Sequence, residues 1–268
     1  MITTNFHTHC IYCDGKDTPE EMIKTAIDKG FTSLGFSSHS FYGPSSEYTM
    51  SLENEPLYFE EINRLKETYK GKIEIFCGIE QDYYSPEKRF PYDYSIGSVH
   101  CVEKDGVSVV VDDSAKILNG FLDRFYDGDY DALAEEYFIL VGDVINKTGA
   151  DIIGHIDLIT KYNEKESRTL SKKFFDCAEK AVKKLAVSGK PFEINTGAIA
   201  RGYRTTPYPS PEILEMIKGE KGKIIFSSDC HNREFLDCCY AEAEKLAQSI
   251  GFKAQSIITA EGLKEIEL

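Results

Sequence analysis

The chain of 268 residues holds six histidines, His7, His9, His39, His100, His155 and His231, and none lies within a stretch that reads as helix. Each follows a short apolar run of strand character. These runs are Ile2 to Phe6, Leu34-Gly35-Phe36, Ile96 to Val99, Ile152-Ile153-Gly154, and Ile224-Ile225-Phe226 ahead of Asp229 and His231. Carboxylates accompany them at Asp14, Glu80, Asp157 and Asp229. Imidazole and carboxylate are the donors that zinc, manganese and iron accept. Histidines kept for packing have no reason to recur behind one strand after another. The pattern reads as a metalloenzyme holding more than one ion.

Composition narrows the class. The formal charge of −14 argues against a nucleic-acid partner, which needs a basic surface. Part of the acidity is expected to be ligand carboxylate offset by bound cations. No run is long enough to span a bilayer, and the N-terminus lacks the basic-then-apolar pattern of a signal peptide, so a soluble, cytoplasmic protein is expected. The eight cysteines are then expected to stay reduced. Cys10-x-x-Cys13 lies between His9 and Asp14 and so close to any metal there, but no second cysteine pair completes a structural zinc spacing. Cys238 and Cys239 are adjacent.

Strand and helix signals alternate along the chain. Thr18-Pro19-Glu20-Glu21 starts a helix with a cap, a first-turn proline and a capping-box glutamate. Met22, Ile23, Ala26 and Ile27 keep helical spacing, and Gly30 ends the run. A strand over 33–37, a loop through Gly43-Pro44, a helix over 56–69 and a strand over 73–77 follow. Further strands are expected at 94–99, 151–154, 192–195 and 223–226, with a hairpin turning on Asp105-Gly106. Helices are expected at 130–147 and 169–187, and from Pro211 and Glu234. About seven β/α units in one domain spanning 1–268 result, a length that α/β barrels often reach. In such a barrel the site forms at the carboxyl ends of the strands, so residues distant in sequence converge there. Period-two alternation sends His7 and His9 to one side, and likewise Asp229 and His231.

The motifs His7-Thr8-His9, Asp14, Ser38-His39-Ser40, Gly78-Ile79-Glu80, Gly97-Ser98-Val99-His100, Gly154-His155-Ile156-Asp157 and Ser228-Asp229-Cys230-His231 resemble, in family order, the polymerase-and-histidinol-phosphatase (PHP) family. The resemblance is strongest to its histidinol-phosphate phosphatases, through Asp14, Ser98-Val99-His100 and the segment from Gly197 to Tyr203. It implies a distorted (β/α)7 TIM-like barrel with two to three divalent ions of zinc, iron or manganese. Carried over, His7, His9, Glu80 and Asp229 hold a first ion. Glu80 bridges to a second held by His100 and His155. Asp14, His39 and His231 hold a third. The implied catalytic residues are Glu80, Asp229 and His231. The implied reaction is hydrolysis of a phosphate monoester, L-histidinol phosphate of histidine biosynthesis, by a hydroxide bridging ions ~3.5–4 Å apart.

The phosphate needs cationic partners besides metal. Arg201 and Arg204 follow the sixth strand, and Lys161 follows the His155 motif. All three are expected to bind it, since a guanidinium fork matches phosphate oxygens. An imidazole-bearing substrate points to loop aromatics, chiefly Tyr42 and Tyr83, with Phe41 and Tyr84 beside them. Asp157 either orients His155 or Lys161 or caps the next element. Asp82 and Asp93 read as surface or turn residues. Alternative readings are another PHP phosphoesterase, acting on nucleotides, sugar phosphates or phosphotyrosine, and a non-catalytic PHP module, which tends to lose ligands that this chain keeps. An amidohydrolase usually carries a carbamylated lysine at a strand end, and no lysine follows strand four. Oligomeric state is not legible.

Overall fold

The computed structural model describes residues 2–43 and 47–268, so Pro44 of the expected Gly43-Pro44 loop lies outside the described residues. β1 (Thr4–Asn5) leads through the His7 motif to α1 (Pro19–Asp28). Thr18 caps α1 as a full capping box: its hydroxyl accepts from Glu21 N at 3.3 Å while the Glu21 carboxylate accepts from Thr18 N at 3.0 Å. β2 (Ser33–Phe36), α2 (Asn54–Thr68), β3 (Glu74–Asp82) and β4 (Tyr94–Ser98) follow. The hairpin of β5 (Cys101–Lys104) and β6 (Val107–Val110) precedes α3 (Ala115–Tyr126), α4 (Tyr130–Val141) and α5 (Val144–Thr148). Then come β7 (Ile152–Ile153), α6 (Lys172–Ala186), β8 (Phe192–Asn195), α7 (Gly197–Ala200), α8 (Pro211–Gly219) and β9 (Ile224–Ser227). The chain ends with α9 (Tyr240–Ile250) and a hairpin of β10 (Ala254–Thr259) and β11 (Gly262–Glu267).

Seven parallel strands form one sheet in the order β1-β2-β3-β4-β7-β8-β9. The parallel bridge Thr8↔Cys230, with His9 N donating to Cys230 O at 3.0 Å, joins its two edges and curls it into a barrel. The barrel is distorted because no helix separates β3 from β4. The connection at 83–93 carries Pro86 and Pro91 and runs as a loop.

The barrel interior is filled by Phe6, Phe76, Tyr94, Ile96, Ile152 and Ile225, with Ile258 of β10 packed against them. The Tyr94 hydroxyl donates to Phe6 O at 2.6 Å and Phe36 O at 3.1 Å. A Cβ at Gly78 would sit 2.3 Å from that ring, so the glycine of the Gly78-Ile79-Glu80 motif makes room for it. Strand alternation then places Glu80 on the same inward face, above the tyrosine.

Several elements differ from the sequence expectation. α3 was not expected, although Ser114 caps it and Leu118, Phe121, Leu122 and Tyr126 form a buried stripe. The expected helix over 130–147 breaks at Gly142 and Asp143 into α4 and α5, where Gly142 passes close to Ala181 of α6. The helix expected from Glu234 is a 3-10 turn over Arg233–Phe235, and α9 begins at Tyr240. The β10–β11 hairpin was also missed, because β11 is almost wholly exposed and shows no apolar alternation. Among the described residues no helix is long and apolar enough to cross a membrane.

Candidate metal centre

Glu80 is the hub of the site. Its carboxylate is buried at the end of β3, where Ser40 N donates to its carbonyl and its own N–H donates to Ser38 O. Oε1 lies 2.9 Å from His155 Nε2 and 3.4 Å from His100 Nε2, and accepts from Ser98 Oγ at 2.6 Å. Oε2 lies 2.9 Å from His39 Nδ1, 3.1 Å from His7 Nε2 and 3.6 Å from His9 Nε2. The two oxygens thus face two different sets of imidazoles.

Asp229 and Asp14 complete the arrangement. Asp229 Oδ1 is 3.2 Å from His9 Nε2 and 3.7 Å from both His7 Nε2 and His231 Nδ1. Asp229 takes a left-handed backbone conformation (φ 47°), which aspartate tolerates better than most residues and which recurs at functional sites. Asp14 Oδ2 is 3.2 Å from His231 Nε2, and its Oδ1 is 3.8 Å from His39 Nε2. All nine ligands expected from sequence therefore converge on one centre. Four donor groups lie within metal-sharing distance: His9-Asp14-His39-His231, His7-His155-Asp229, His7-His9-Glu80 and His39-Glu80-His100. No cysteine joins such a group among the described residues.

The donor set fits divalent ions. His7 Nε2, His9 Nε2 and Glu80 Oε2 are buried and have no hydrogen-bond partner although they crowd together. Buried polar atoms left unpaired cost about 1–3 kcal/mol each, a cost a shared cation would remove. The electrostatics agree. Against the desolvation of burial, the surrounding histidines hold Glu80 well below the usual carboxylate range. Asp229 is likewise held low, by Arg201 and then His7. Burial opposes protonation of His39, but Glu80 raises it to about 9. Burial, with His231 and His39 adding to it, lowers His9 to about 3.

Residues outside the expected set hold the candidate ligands in place. Glu193 of β8, fully buried, lies 2.5 Å from His7 Nδ1 and accepts from His155 N at 2.9 Å. Asp82 accepts from His100 N at 3.0 Å and faces His100 Nδ1 at 3.1 Å. It is buried, which corrects its reading as a surface or turn residue; the half-exposed Asp93, bound to Lys66, does sit on the surface. Cys13 Sγ lies 3.5 Å from His9 Nδ1. Glu193 was missed because a lone glutamate in an apolar strand carries no motif. The only cue was its inward register between Phe192 and Ile194.

A cavity of about 750 Å³ opens onto the centre. Its walls beyond the ligands include Arg201, Lys161, Asp112, Tyr48 and Phe235. Arg201 Nη2 donates to Asp229 Oδ2 at 3.1 Å, and Lys161 Nζ reaches Asp112 Oδ2 at 3.0 Å. Arg204 does not line the cavity: its buried guanidinium donates to Asp157 Oδ2 at 3.3 Å and to Thr160 Oγ1. Asp157 therefore anchors Arg204 and Ser210 N rather than His155 or Lys161. Tyr42 and Tyr83 also lie outside the cavity wall, with their hydroxyls donating to Glu103 at 2.9 Å and Asp143 at 3.2 Å. Tyr42 packs on Tyr84, whereas Tyr48 lies over the ligand rings, 5.0 Å from His39. The loop order of aromatics in the sequence could not show which of them turn inward.

The family model described as the PHP domain matches residues 5–197. A histidinol-phosphatase of Lactococcus lactis is 28% identical, over 97% of this chain and 94% of its own. A histidinol-phosphatase of Bacillus subtilis is 24% identical over 84% of this chain and 92% of its own. The crystal structure of the Lactococcus lactis histidinol phosphate phosphatase, complexed with zinc, L-histidinol and phosphate, superposes with a TM-score of 0.74. It is 21% identical and covers 98% of each chain.

Proposed function

The chain belongs to the PHP domain family, and we propose that it is a metal-dependent histidinol-phosphatase, converting L-histidinol phosphate and water to L-histidinol and phosphate. The observation that carries this reading is the double-faced Glu80. Oε2 meets His7, His9 and His39, and Oε1 meets His100 and His155. A carboxylate so placed suits bridging. We assign one ion to His7, His9, Glu80 and Asp229, a second to Glu80, His100 and His155, and a third to Asp14, His39 and His231. Bound there, divalent ions would supply positive charge for phosphate oxygens and acidify water near neutral pH.

The protein's own groups do the rest. Arg201 and Lys161 face the cavity and offer N–H donors to the phosphate. Arg201 is already held on Asp229, so its fork is oriented before substrate arrives. Asp112 on the same wall, with Tyr48 and Phe235, offers a carboxylate and ring faces to a cationic, heteroaromatic alcohol. The relatives named as histidinol-phosphatases span nearly the whole chain, which supports the substrate choice.

The test is phosphate release from a panel of L-histidinol phosphate, nucleotide and sugar phosphates and a phosphotyrosyl peptide, each with and without chelator. A strong, chelator-sensitive preference for L-histidinol phosphate is expected. Preference for another ester would overturn the substrate, and chelator-insensitive turnover would overturn the metal mechanism.

A further inference from the structure

Glu193 takes four hydrogen-bond partners on one buried carboxylate. Oε1 faces His7 Nδ1 at 2.5 Å and accepts from Ser227 Oγ. Oε2 accepts from the backbone N–H of His155 at 2.9 Å and from Asn195 Nδ2 at 3.1 Å. These partners come from the ends of β1, β7, β8 and β9, four of the seven barrel strands. Oε2 is taken by two N–H donors and Oε1 by the Ser227 hydroxyl, so the carboxylate sits as the acceptor of this cluster and meets His7 Nδ1 as one. An acceptor there calls for a proton on His7 Nδ1, so Nε2 is the nitrogen whose lone pair a bound metal would use. That atom is buried, lacks a hydrogen-bond partner, and lies 3.1 Å from Glu80 and 3.7 Å from Asp229.

We propose that Glu193 is a positioning residue of the metal centre: it fixes the tautomer of His7 and the backbone of His155, and so sets metal affinity without touching an ion. The inference rests on His7 being a metal ligand. Glutamine has the shape of glutamate but only one acceptor oxygen. The His155 side presents a backbone donor that cannot turn, and Asn195 presents a second, so the glutamine oxygen belongs there. Its NH2 group then faces His7 Nδ1, which must become an acceptor. The proton moves to Nε2, and the ligand lone pair is lost.

The experiment is nitrogen NMR on zinc-loaded protein labelled with 15N histidine, alongside zinc affinity by chelator competition. In the wild type, His7 is expected to carry its proton on Nδ1 and show a metal-bound Nε2. In Glu193→Gln the His7 proton is expected on Nε2, with zinc affinity weaker by roughly 10- to 100-fold. His100, held by Asp82, should keep its own tautomer and serves as the internal control. A wild-type His7 without a proton on Nδ1 overturns the proposal even if the variant does not fold, as does wild-type zinc affinity in Glu193→Gln. A wild type that binds no zinc sinks the metal reading itself, and the positioning role with it.

Discussion

Glu80→Gln is the substitution that most directly examines the centre, because it keeps the side chain's shape and removes only its charge and one acceptor. Five imidazole nitrogens lie between 2.9 and 3.6 Å from its two oxygens. A cation held by these rings would lie within about 4 Å of the carboxylate. Two unit charges 4 Å apart at an effective dielectric of 20 attract by about 4 kcal/mol. At 1.4 kcal/mol per tenfold, each ion touching Glu80 should bind roughly a thousandfold more weakly in the variant. Metal content after dialysis against graded chelator, measured with phosphate release on the same samples, reads this directly. A second readout uses the metal-free protein. Glu80 is the main influence raising His39 to about 9 against burial, so the variant should protonate His39 at lower pH. Full metal content and turnover at wild-type chelator concentrations would refute Glu80 as the hub. Metal loss with an unchanged His39 titration would refute the electrostatic account.

Arg201→Ala should weaken inhibition by inorganic phosphate roughly 10- to 100-fold, the ~1.5–3 kcal/mol of a charged hydrogen bond, with metal content retained; unchanged inhibition would remove Arg201 from the phosphate site. Arg204→Ala should act on stability instead. It strands the buried Asp157 carboxylate at a cost of about 3–5 kcal/mol, so Tm falls with KM unchanged, and a raised KM at constant Tm would contradict the structural role. Removing metal from the wild type should lower Tm by at least about 5 °C, since ions present at 100 times their Kd add ~2.7 kcal/mol in a chain of this size. Calorimetry with and without chelator checks this, and coincident transitions would argue against ions bound in the folded state.

The sequence by itself carried the barrel and the nine candidate ligands that converge in it. Ligand side chains are few, chemically distinctive, and pinned behind apolar strands whose period the chain displays openly. The capping box at Thr18 and Glu21 and the hairpin at Asp105-Gly106 were legible for the same reason, because local chemistry alone decides them. α3 also has a local signature, in the Ser114 cap and the stripe from Leu118 to Tyr126.

Only the tertiary structure decided the environment of each charge. Arg201 and Arg204 stand three residues apart and look alike in sequence. Yet Arg201 lines the cavity on Asp229, and Arg204 is locked to Asp157. Tyr48 rather than Tyr42 lies over the ligand rings, because the path of a loop selects which side chain turns inward. Asp82 and Glu193 became anchors of His100 and His7 through strand neighbours distant in sequence. A metal ligand is recognised by what it is, but a residue that orients it is recognised only by what it touches. That contact is made across the barrel, where sequence separation carries no information.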